Sequence, residues 1–184
     1  MPFEFQHCHI ADVVLVKPKQ FKDERGWFME LSKSSAFEDA GIPGSFLQSN
    51  VSFSHATVLR GLHYQLAPHE QGKLVTVLSG AVWDVAVDLR AESPTHGAWV
   101  AYELSSENHW LLYIPPGFAH GFVTLAEDTV VHYSCTKEYD KASERGIRWD
   151  DPDLAIPWPV ERPSVSDKDA ALPFLAELVA EELA

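Results

Sequence analysis

Hydrophobic and polar residues alternate in short runs along most of this chain. In the clearest run, residues 81–89, four large apolar side chains share one face of an extended strand, and Asp84 and Asp88 lie on the other. A strand face that carries two carboxylates is either exposed to water or lines a polar cavity. A stretch rich in β-branched residues, 74–78, precedes this run and is joined to it by Ser79-Gly80, so the pattern predicts a hairpin.

Runs of the same kind recur every eight to twelve residues and are separated by turn-forming residues. The further strands that they predict are 10–18, 46–53, 99–104, 110–114, 118–125 and 129–136, and a turn at 23–26 leads into another short strand. Such spacing is typical of an antiparallel sandwich or barrel. We therefore predict an all-β fold in a single domain, residues 1–184, since a chain of this length is most simply one domain.

Two stretches predict helices within this β-rich chain. Ser35 and Glu38 form a capping-box pattern that favours one or two turns of helix. In residues 168–184, apolar residues recur at helical spacing, which predicts an amphipathic C-terminal helix that docks on the body of the protein. The apolar residues of that stretch are Leu172, Leu175, Leu178 and Val179.

The charge and the chain ends limit the partners that we expect. A net charge of −13 argues against binding to nucleic acid or to an anionic membrane surface, so any anionic ligand must be held by individual arginines and lysines. The sequence shows neither a signal peptide nor an apolar stretch of membrane-spanning length, and Cys8 and Cys135 are far apart and fit no metal or redox spacing. These features predict a cytoplasmic protein with reduced thiols.

Two stretches contain the residues best suited to chemistry. Residues 60–73 bring an arginine, His63 and Lys73 close together in the sequence, and residues 115–120 match the second short motif of cupins, P-x-G-x-x-H, which ends at His120. The first cupin motif supplies a His-x-His pair and a glutamate to a metal, whereas here only His63 is present. We therefore expect no bound metal, although a metal-dependent cupin dioxygenase stays an alternative.

The order of these and other motifs resembles the family of dTDP-4-dehydrorhamnose 3,5-epimerases. The matching stretches run in order from residue 25 to residue 169. They are RGWFME at 25–30, Gln48-x-Asn50-x-Ser52, RGLHYQ at 60–65, QGKLV at 71–75, DVAVDLR at 84–90 with Ser93-Pro94-Thr95 behind it, IPPGFAHGF at 114–122, Tyr133, WDDP at 149–152, IPWP at 156–159 and SDKD at 166–169. The resemblance implies a cupin-type double-stranded β-helix, or jelly roll, with a few short helices and the C-terminal helix.

The resemblance also implies a reaction without a cofactor. The substrate would be a dTDP-linked 4-keto-6-deoxyhexose, whose hydrogens at C3 and C5 are acidic because both carbons flank the C4 ketone. By this similarity His63 is the base, Asp169 orients it, Lys73 faces the enolate oxygen and Tyr133 is the acid on the opposite face. A histidine titrates close to working pH, which suits general-base catalysis.

A second group of residues is implied to bind the substrate. The residues of this group are Arg25, Trp27, Glu30, Gln48, Asn50, Arg60, His120 and Tyr139. Arg25 and Arg60 would hold the diphosphate, since a guanidinium offers two parallel donors to phosphate oxygens. Trp27, which stands where the family usually has phenylalanine, and Tyr139 would stack on the nucleobase. His120 either contacts substrate or caps the start of a strand.

Several alternatives remain open at this point. Regiochemistry depends on the pose of the sugar, so an epimerase acting at C3 only or C5 only, or a keto-isomerase, would have the same motifs. A non-catalytic sugar-binding cupin is a further alternative. The resemblance implies a homodimer in which the N-terminal segment adds to the neighbouring sheet. Residues 10–18 are the strand available for this, which would otherwise be an exposed apolar edge.

Overall fold

The computed structural model describes residues 2–178, and β-strands dominate that range. The strands are β1 Phe3–His7, β2 Val14–Pro18, β3 Phe21–Asp23, β4 Gly26–Phe28, β5 Gln48–Ser54, β6 Val58–Gln65, β7 Lys73–Ser79, β8 Ala81–Asp88, β9 Trp99–Ser105, β10 Leu111–Ile114, β11 Phe118–Thr124, β12 Thr129–Cys135, β13 Glu144–Gly146 and β14 Ser164–Val165. The helices are α1 Ser34–Asp39, α2 Asp167–Ala170 and a 3₁₀ helix at Leu175–Glu177. The longest of them has six residues, far short of a membrane span.

Two six-stranded sheets form the body of the protein. The first sheet has the order β1-β2-β10-β7-β12-β5, and the second has the order β13-β6-β11-β8-β9 with β14 parallel to β6 at one side. β3 and β4 form a separate hairpin. Buried apolar side chains from both sheets pack in one cluster between them, which confirms the predicted all-β jelly roll.

The predicted hairpin of β7 and β8 is wrong, although both strands exist. β7 pairs with β10 and β12 in the first sheet, whereas β8 pairs with β9 and β11 in the second, so the chain crosses between sheets at Gly80. The alternation along β8 is correct. Val82 and Ala86 lie in the cluster between the sheets, and Val85 and Val87 lie in a second cluster on the outer face.

The N-terminal strand is not the free edge that we expected. β2 occupies the end of the predicted stretch 10–18, but β1 covers one side of it and β10 the other. The first sheet therefore ends at β1 on one side and at β5 on the other. Residues 10–18 therefore offer no free apolar edge to a second copy of the chain.

The predicted C-terminal helix is also wrong over the residues that the structure describes. α2 ends at Ala170, and the backbone of 172–174 is not helical, because Pro173 lacks the N–H that a helix interior requires. Leu175 and Leu178 nevertheless pack on the outer face of the second sheet, as a docking segment should. Val179 and the rest of the predicted helix lie outside the described residues.

The predicted N-terminal helix is present, but its cap differs from the expectation. α1 begins at Ser34, and the capping position is Lys33, which makes no side-chain capping bond. The Ser34 hydroxyl instead donates to the carbonyl of Gly44 at 2.6 Å. Burial of Phe37 against Phe3 at the N-terminal strand holds this helix on the body.

Candidate active site

The space between the sheets is apolar at one end and opens into a polar cavity of about 550 Å³ at the other. The cavity draws its walls from β5, β6, β7, β11, β12 and the segment around α2. Its lining includes Ser52, Arg60, His63, Lys73, His120, Tyr133, Ser166, Lys168 and Asp169. Six residues that the sequence assigned to the site thus meet here, and they come from four strands and from α2, which are distant along the chain.

His63 and Asp169 form a hydrogen-bonded pair at the wall of the cavity. His63 Nε2 lies 2.8 Å from Asp169 Oδ1, and the second carboxylate oxygen accepts the backbone N–H of Gly61 at 3.2 Å. Burial by itself raises the pKa of Asp169, but the hydrogen bonds and positive charge around it outweigh this and lower the pKa. Asp169 is therefore a carboxylate at neutral pH, and it leaves His63 Nδ1 as the free ring nitrogen.

Gly61 lets β6 approach β11 closely enough to put His63 where it is. A Cβ at residue 61 would lie 2.7 Å from Gly121 Cα and 2.7 Å from the carbonyl oxygen of His120, too close for any side chain. The backbone at Gly61 also has φ +114°, which side chains rarely adopt. The close approach of the two strands and the positive φ together explain why the R-G-L-H stretch has a glycine at this position.

Lys73 and Tyr133 enter the cavity from the first sheet, opposite His63 on the second. Burial lowers the pKa of Lys73, and its ammonium donates a long hydrogen bond, 3.4 Å, to the carbonyl of His63. Burial raises the pKa of Tyr133, so its phenol keeps its proton through the neutral range. The Tyr133 hydroxyl makes no hydrogen bond to any other residue in the described range 2–178 and is free to meet a ligand.

His120 stands opposite His63 in the β6–β11 ladder and lines the same cavity. It lies inside β11 rather than at its start, and its Nε2 is 2.8 Å from Asp84 Oδ2. Asp84 is fully buried, which excludes the alternative of a strand face exposed to water.

Arg60 is held by its own neighbourhood in the wall. Its Nε donates to Ser54 Oγ at 3.0 Å and one terminal nitrogen donates to the carbonyl of Phe53 at 3.1 Å. Both partners are neutral, so the positive charge of the guanidinium is not cancelled by a carboxylate. This charge faces the cavity of a strongly acidic protein.

A smaller polar cavity of about 290 Å³ shares His63, Lys73 and Tyr133 with the larger one. Gln48, Asn50 and Tyr139 line it, in agreement with their predicted grouping. The Gln48 amide donates to Asn50 at 2.9 Å and accepts the backbone N–H of Tyr139 at 2.7 Å. These bonds fix the amides along one wall and set Tyr139 at the mouth.

Sequence reasoning missed two charged residues of the site, Lys168 and Glu144. The Lys168 ammonium donates to Glu144 at 2.7 Å, and Glu144 also accepts from the hydroxyl of Tyr139 at 2.9 Å. Lys168 is the neighbour of Asp169 in the S-D-K-D stretch, which was a usable signal. Glu144 lies on β13, a strand of three residues in a stretch without alternation, and nothing in the sequence pointed to it.

The structure does not bring Arg25, Trp27 and Glu30 to the cavity of the same chain. Arg25 lies at the β3–β4 turn and pairs with Asp23, and the ring of Trp27 packs on His109 with centroids 4.5 Å apart. Both are exposed, and Glu30 follows the hairpin. None of the three contributes to the lining of the larger or the smaller cavity.

Comparison with known proteins agrees with the motifs. A family described as dTDP-4-dehydrorhamnose 3,5-epimerase matches residues 7–177. The dTDP-4-dehydrorhamnose 3,5-epimerase of Shigella flexneri is 52% identical over 161 residues, which are 87% of this chain and 89% of that protein. That of Sinorhizobium fredii is 47% identical over 95% of this chain and 90% of its own length.

Solved structures show the same fold. The dTDP-6-deoxy-D-glucose-3,5-epimerase of Legionella pneumophila, in complex with dTDP-4-keto-L-rhamnose, aligns with a TM-score of 0.94 at 45% identity over 98% of this chain and 97% of its own. A 3′-monoepimerase of Streptomyces bikiniensis in complex with dTDP-quinovose aligns less closely, with a TM-score of 0.87 at 34% identity over 92% of this chain and 87% of its own. By its motifs, its fold and these matches, the chain belongs to the dTDP-4-dehydrorhamnose 3,5-epimerase family.

Proposed function

We propose that this enzyme epimerises C3 and C5 of a dTDP-linked 4-keto-6-deoxyhexose, with His63 as the base and Tyr133 as the acid. The observation that carries the assignment is the arrangement of the cavity. His63 with its bound Asp169 stands on one sheet, and Tyr133 stands on the other. Inversion at carbon requires removal of a proton from one face and delivery of a proton to the opposite face. His63 and Tyr133, on opposite walls of the cavity, are the two groups that can do this.

The reaction needs only groups that the cavity contains. His63 Nδ1 takes the proton from the carbon next to the ketone, and the electron pair of the broken C–H bond moves to the C4 oxygen. Asp169 stabilises the imidazolium that forms. General-base catalysis of this kind contributes about 10²–10⁴-fold. Tyr133 then returns a proton to the opposite face as the electron pair goes back to carbon.

Lys73 is placed to stabilise the enolate oxygen. A donor aimed at a developing oxyanion in a site without water lowers the barrier by about 3–4 kcal/mol. Burial lowers the pKa of Lys73, and a more acidic ammonium is a stronger hydrogen-bond donor to the enolate oxygen. No redox cofactor enters this sequence of steps, since the proton leaves and returns at the same carbon.

The two cavities suggest how the nucleotide is oriented. Arg60 lines the larger one with neutral hydrogen-bond partners and supplies the local positive charge that a diphosphate requires in a chain of net charge −13. Gln48 and Asn50 offer amide groups in the smaller one, and Tyr139 offers an exposed ring at its mouth for stacking on the base. The sugar would then lie where the two cavities join, in contact with the residues that both share, His63, Lys73 and Tyr133.

Deuterium incorporation tests this function directly. The enzyme is incubated with dTDP-4-keto-6-deoxyglucose in D₂O, and NMR identifies the carbons that acquire deuterium. We expect deuterium at both C3 and C5 together with the inverted product. Deuterium at one carbon alone would reduce the assignment to a mono-epimerase, and nucleotide-sugar binding without any exchange would indicate a non-catalytic cupin.

We further propose that the enzyme is a homodimer. The implied substrate residues Arg25 and Trp27 lie on an exposed hairpin outside their own cavity, so they can serve a cavity only in a second copy. The edge strand β5 also exposes Val51 and Phe53, an apolar edge that soluble proteins usually cover. A cytoplasmic location is proposed as well, because Cys8 and Cys135 are free thiols.

Sedimentation of the wild-type protein and two variants checks the dimer. We expect a dimer at micromolar concentration and a shift toward monomer for Phe53→Glu, which places a charge on the outer face of β5. Leu125→Glu introduces the same charge at an exposed leucine after β11 and should stay dimeric. A monomeric wild-type protein would contradict the proposal.

A further inference from the structure

Two pieces of chain pair with β6 along one side, and a short gap lies between them. β14 runs parallel to β6 at residues 58–59, and β13 together with the residue after it pairs with residues 62–65. Within this gap the backbone N–H of Gly61 donates to Asp169 Oδ2 at 3.2 Å, and the other oxygen of the carboxylate lies 2.8 Å from His63 Nε2. The Asp169 side chain therefore takes the place of a strand partner, and in that place it meets the base.

The carboxylate reaches this gap from a helix that is too short to be stable alone. α2 has four residues, Asp167–Ala170, and an isolated turn of helix has little stability in water. It begins directly after β14, at the capping residue Ser166, whose hydroxyl oxygen accepts the backbone N–H of Asp169 at 3.1 Å. This bond joins the end of β14 to the residue that carries the carboxylate.

Ser166 lines the larger cavity, so two roles are chemically open to its hydroxyl. As a substrate contact it would donate its O–H to an oxygen of the ligand, whereas as a capping group it accepts from an N–H of its own chain. The structure contains the second of these bonds. Ser166 is also exposed, so the hydroxyl contributes nothing to the apolar core, and the capping bond is the contribution that the geometry identifies.

We propose that Ser166 is a positioning residue, which acts through Asp169 on the base His63. Its hydroxyl sets the first turn of α2, so that the Asp169 carboxylate reaches Gly61 with one oxygen and His63 with the other. Asp169 is then already in place when the imidazolium forms, and no reorganisation is needed to stabilise it. The inference rests on the proposed epimerase function and adds to it the residue that aims the carboxylate.

The first test is the separate measurement of kcat and KM for Ser166→Ala. Replacement of a capping serine by alanine shifts the equilibrium of a helix start by about 2- to 30-fold, so kcat should fall within that range while KM stays within twofold of the wild-type value. Ser166→Thr retains a capping hydroxyl and should restore kcat. A KM that rises while kcat is unchanged would make Ser166 a substrate contact and overturn the inference, and so would a kcat within twofold of wild type.

A double-mutant cycle separates positioning from a general loss of stability. Asp169→Ala has no carboxylate to aim, so addition of Ser166→Ala to it should lower the rate of deuterium exchange by less than twofold. If Ser166 only stabilised the fold, its replacement would lower the rate by the same factor in both backgrounds. Additive losses would therefore contradict the proposed role.

Ser34→Ala is the matched control for removal of a serine hydroxyl at the start of a short helix. Ser34 is the first residue of α1, and its hydroxyl is bonded to the carbonyl of Gly44 at 2.6 Å. It does not line the cavity. This variant should keep both kcat and KM of the wild type, whatever it loses in thermal stability.

The aim of the carboxylate can also be measured without turnover. The proton between His63 Nε2 and Asp169 is observed by NMR in ligand-free enzyme labelled with ¹⁵N-histidine, and it is assigned by its loss in His63→Gln. We expect this proton to exchange with water faster in Ser166→Ala than in the wild type, and at the wild-type rate in Ser166→Thr. Equal exchange in the wild type and in Ser166→Ala would overturn the inference. Wild-type enzyme that incorporates no deuterium into the substrate would instead refute the proposed function and leave this NMR result standing.

Discussion

His63→Ala is expected to abolish both the epimerised product and the exchange of carbon-bound hydrogen with D₂O. The base governs formation of the enolate, so no later step can proceed without it. Removal of a general base lowers the rate by about 10²–10⁴-fold. The measurement is deuterium incorporation by NMR over hours, compared with wild-type enzyme at equal concentration.

Loss of activity must be separated from loss of the fold. The His63 side chain lines the cavity and is 29% exposed, so its removal leaves the apolar cluster between the sheets intact. Asp169 would lose one donor but keep the N–H of Gly61. His63→Gln, whose amide nitrogen reaches the position of Nε2, restores an N–H donor to Asp169 without restoring a base, and it should be equally inactive with a thermal unfolding midpoint closer to wild type.

His55→Ala serves as the control for the histidine substitution itself. His55 lies between β5 and β6, is mostly exposed and does not line the cavity. This variant should exchange and epimerise like the wild type. Exchange by His63→Ala at a near wild-type rate would show that another group is the base, and His120 would then be the first residue to test.

The strands could be predicted from the sequence because their signal is local. Side chains alternate along β8, β9, β11 and β12, and the predicted bounds of these strands differ from the observed ones by one residue or none. The pairing of the strands could not be predicted in the same way, because alternation shows which face of a strand is buried but not which strand lies beside it. The pattern around Gly80 is compatible with a hairpin and equally with the crossing between two sheets that the structure has.

The residues of the site could be predicted only where they belong to a recognised motif. Asp169 is 106 residues from His63, and no local rule connects a residue in a four-residue helix with one on β6. The match to a family's motifs supplied that pairing, and the 2.8 Å contact agrees with it. The same match implied Arg25 and Trp27, which the fold of a single chain leaves outside the cavity.

Tyr133→Phe is expected to separate proton removal from inversion. The substitution removes one hydroxyl and leaves His63, Asp169 and Lys73 in place. His63 can still take a proton from C3 or C5 and return one to the same face, so deuterium should enter the recovered substrate. The inverted product should fall by about 10²–10⁴-fold, the usual range for loss of a positioned acid.

The fold should tolerate this change well. The Tyr133 hydroxyl has no hydrogen-bond partner among the described residues, so no buried group loses a donor or acceptor. Tyr102→Phe is the matched control, because the Tyr102 side chain packs against the apolar cluster away from the cavity and its hydroxyl is bonded to Cys8. That variant should keep both exchange and epimerisation, whatever it loses in thermal stability.

The raised pKa of Tyr133 also sets an expectation for the pH dependence of the wild-type enzyme. A phenol with a pKa above its ordinary value of about 10 is protonated throughout the neutral range, so in the wild type the acid is available at every pH where His63 is a competent base. Deprotonation of Tyr133 should therefore lower the wild-type inversion rate only well above neutral pH.

If Tyr133→Phe inverts its substrate at a near wild-type rate, water or another cavity residue delivers the proton and the acid role of Tyr133 is wrong. If it loses exchange and inversion together, the hydroxyl is needed before the enolate forms, and its role is to hold the sugar rather than to protonate it.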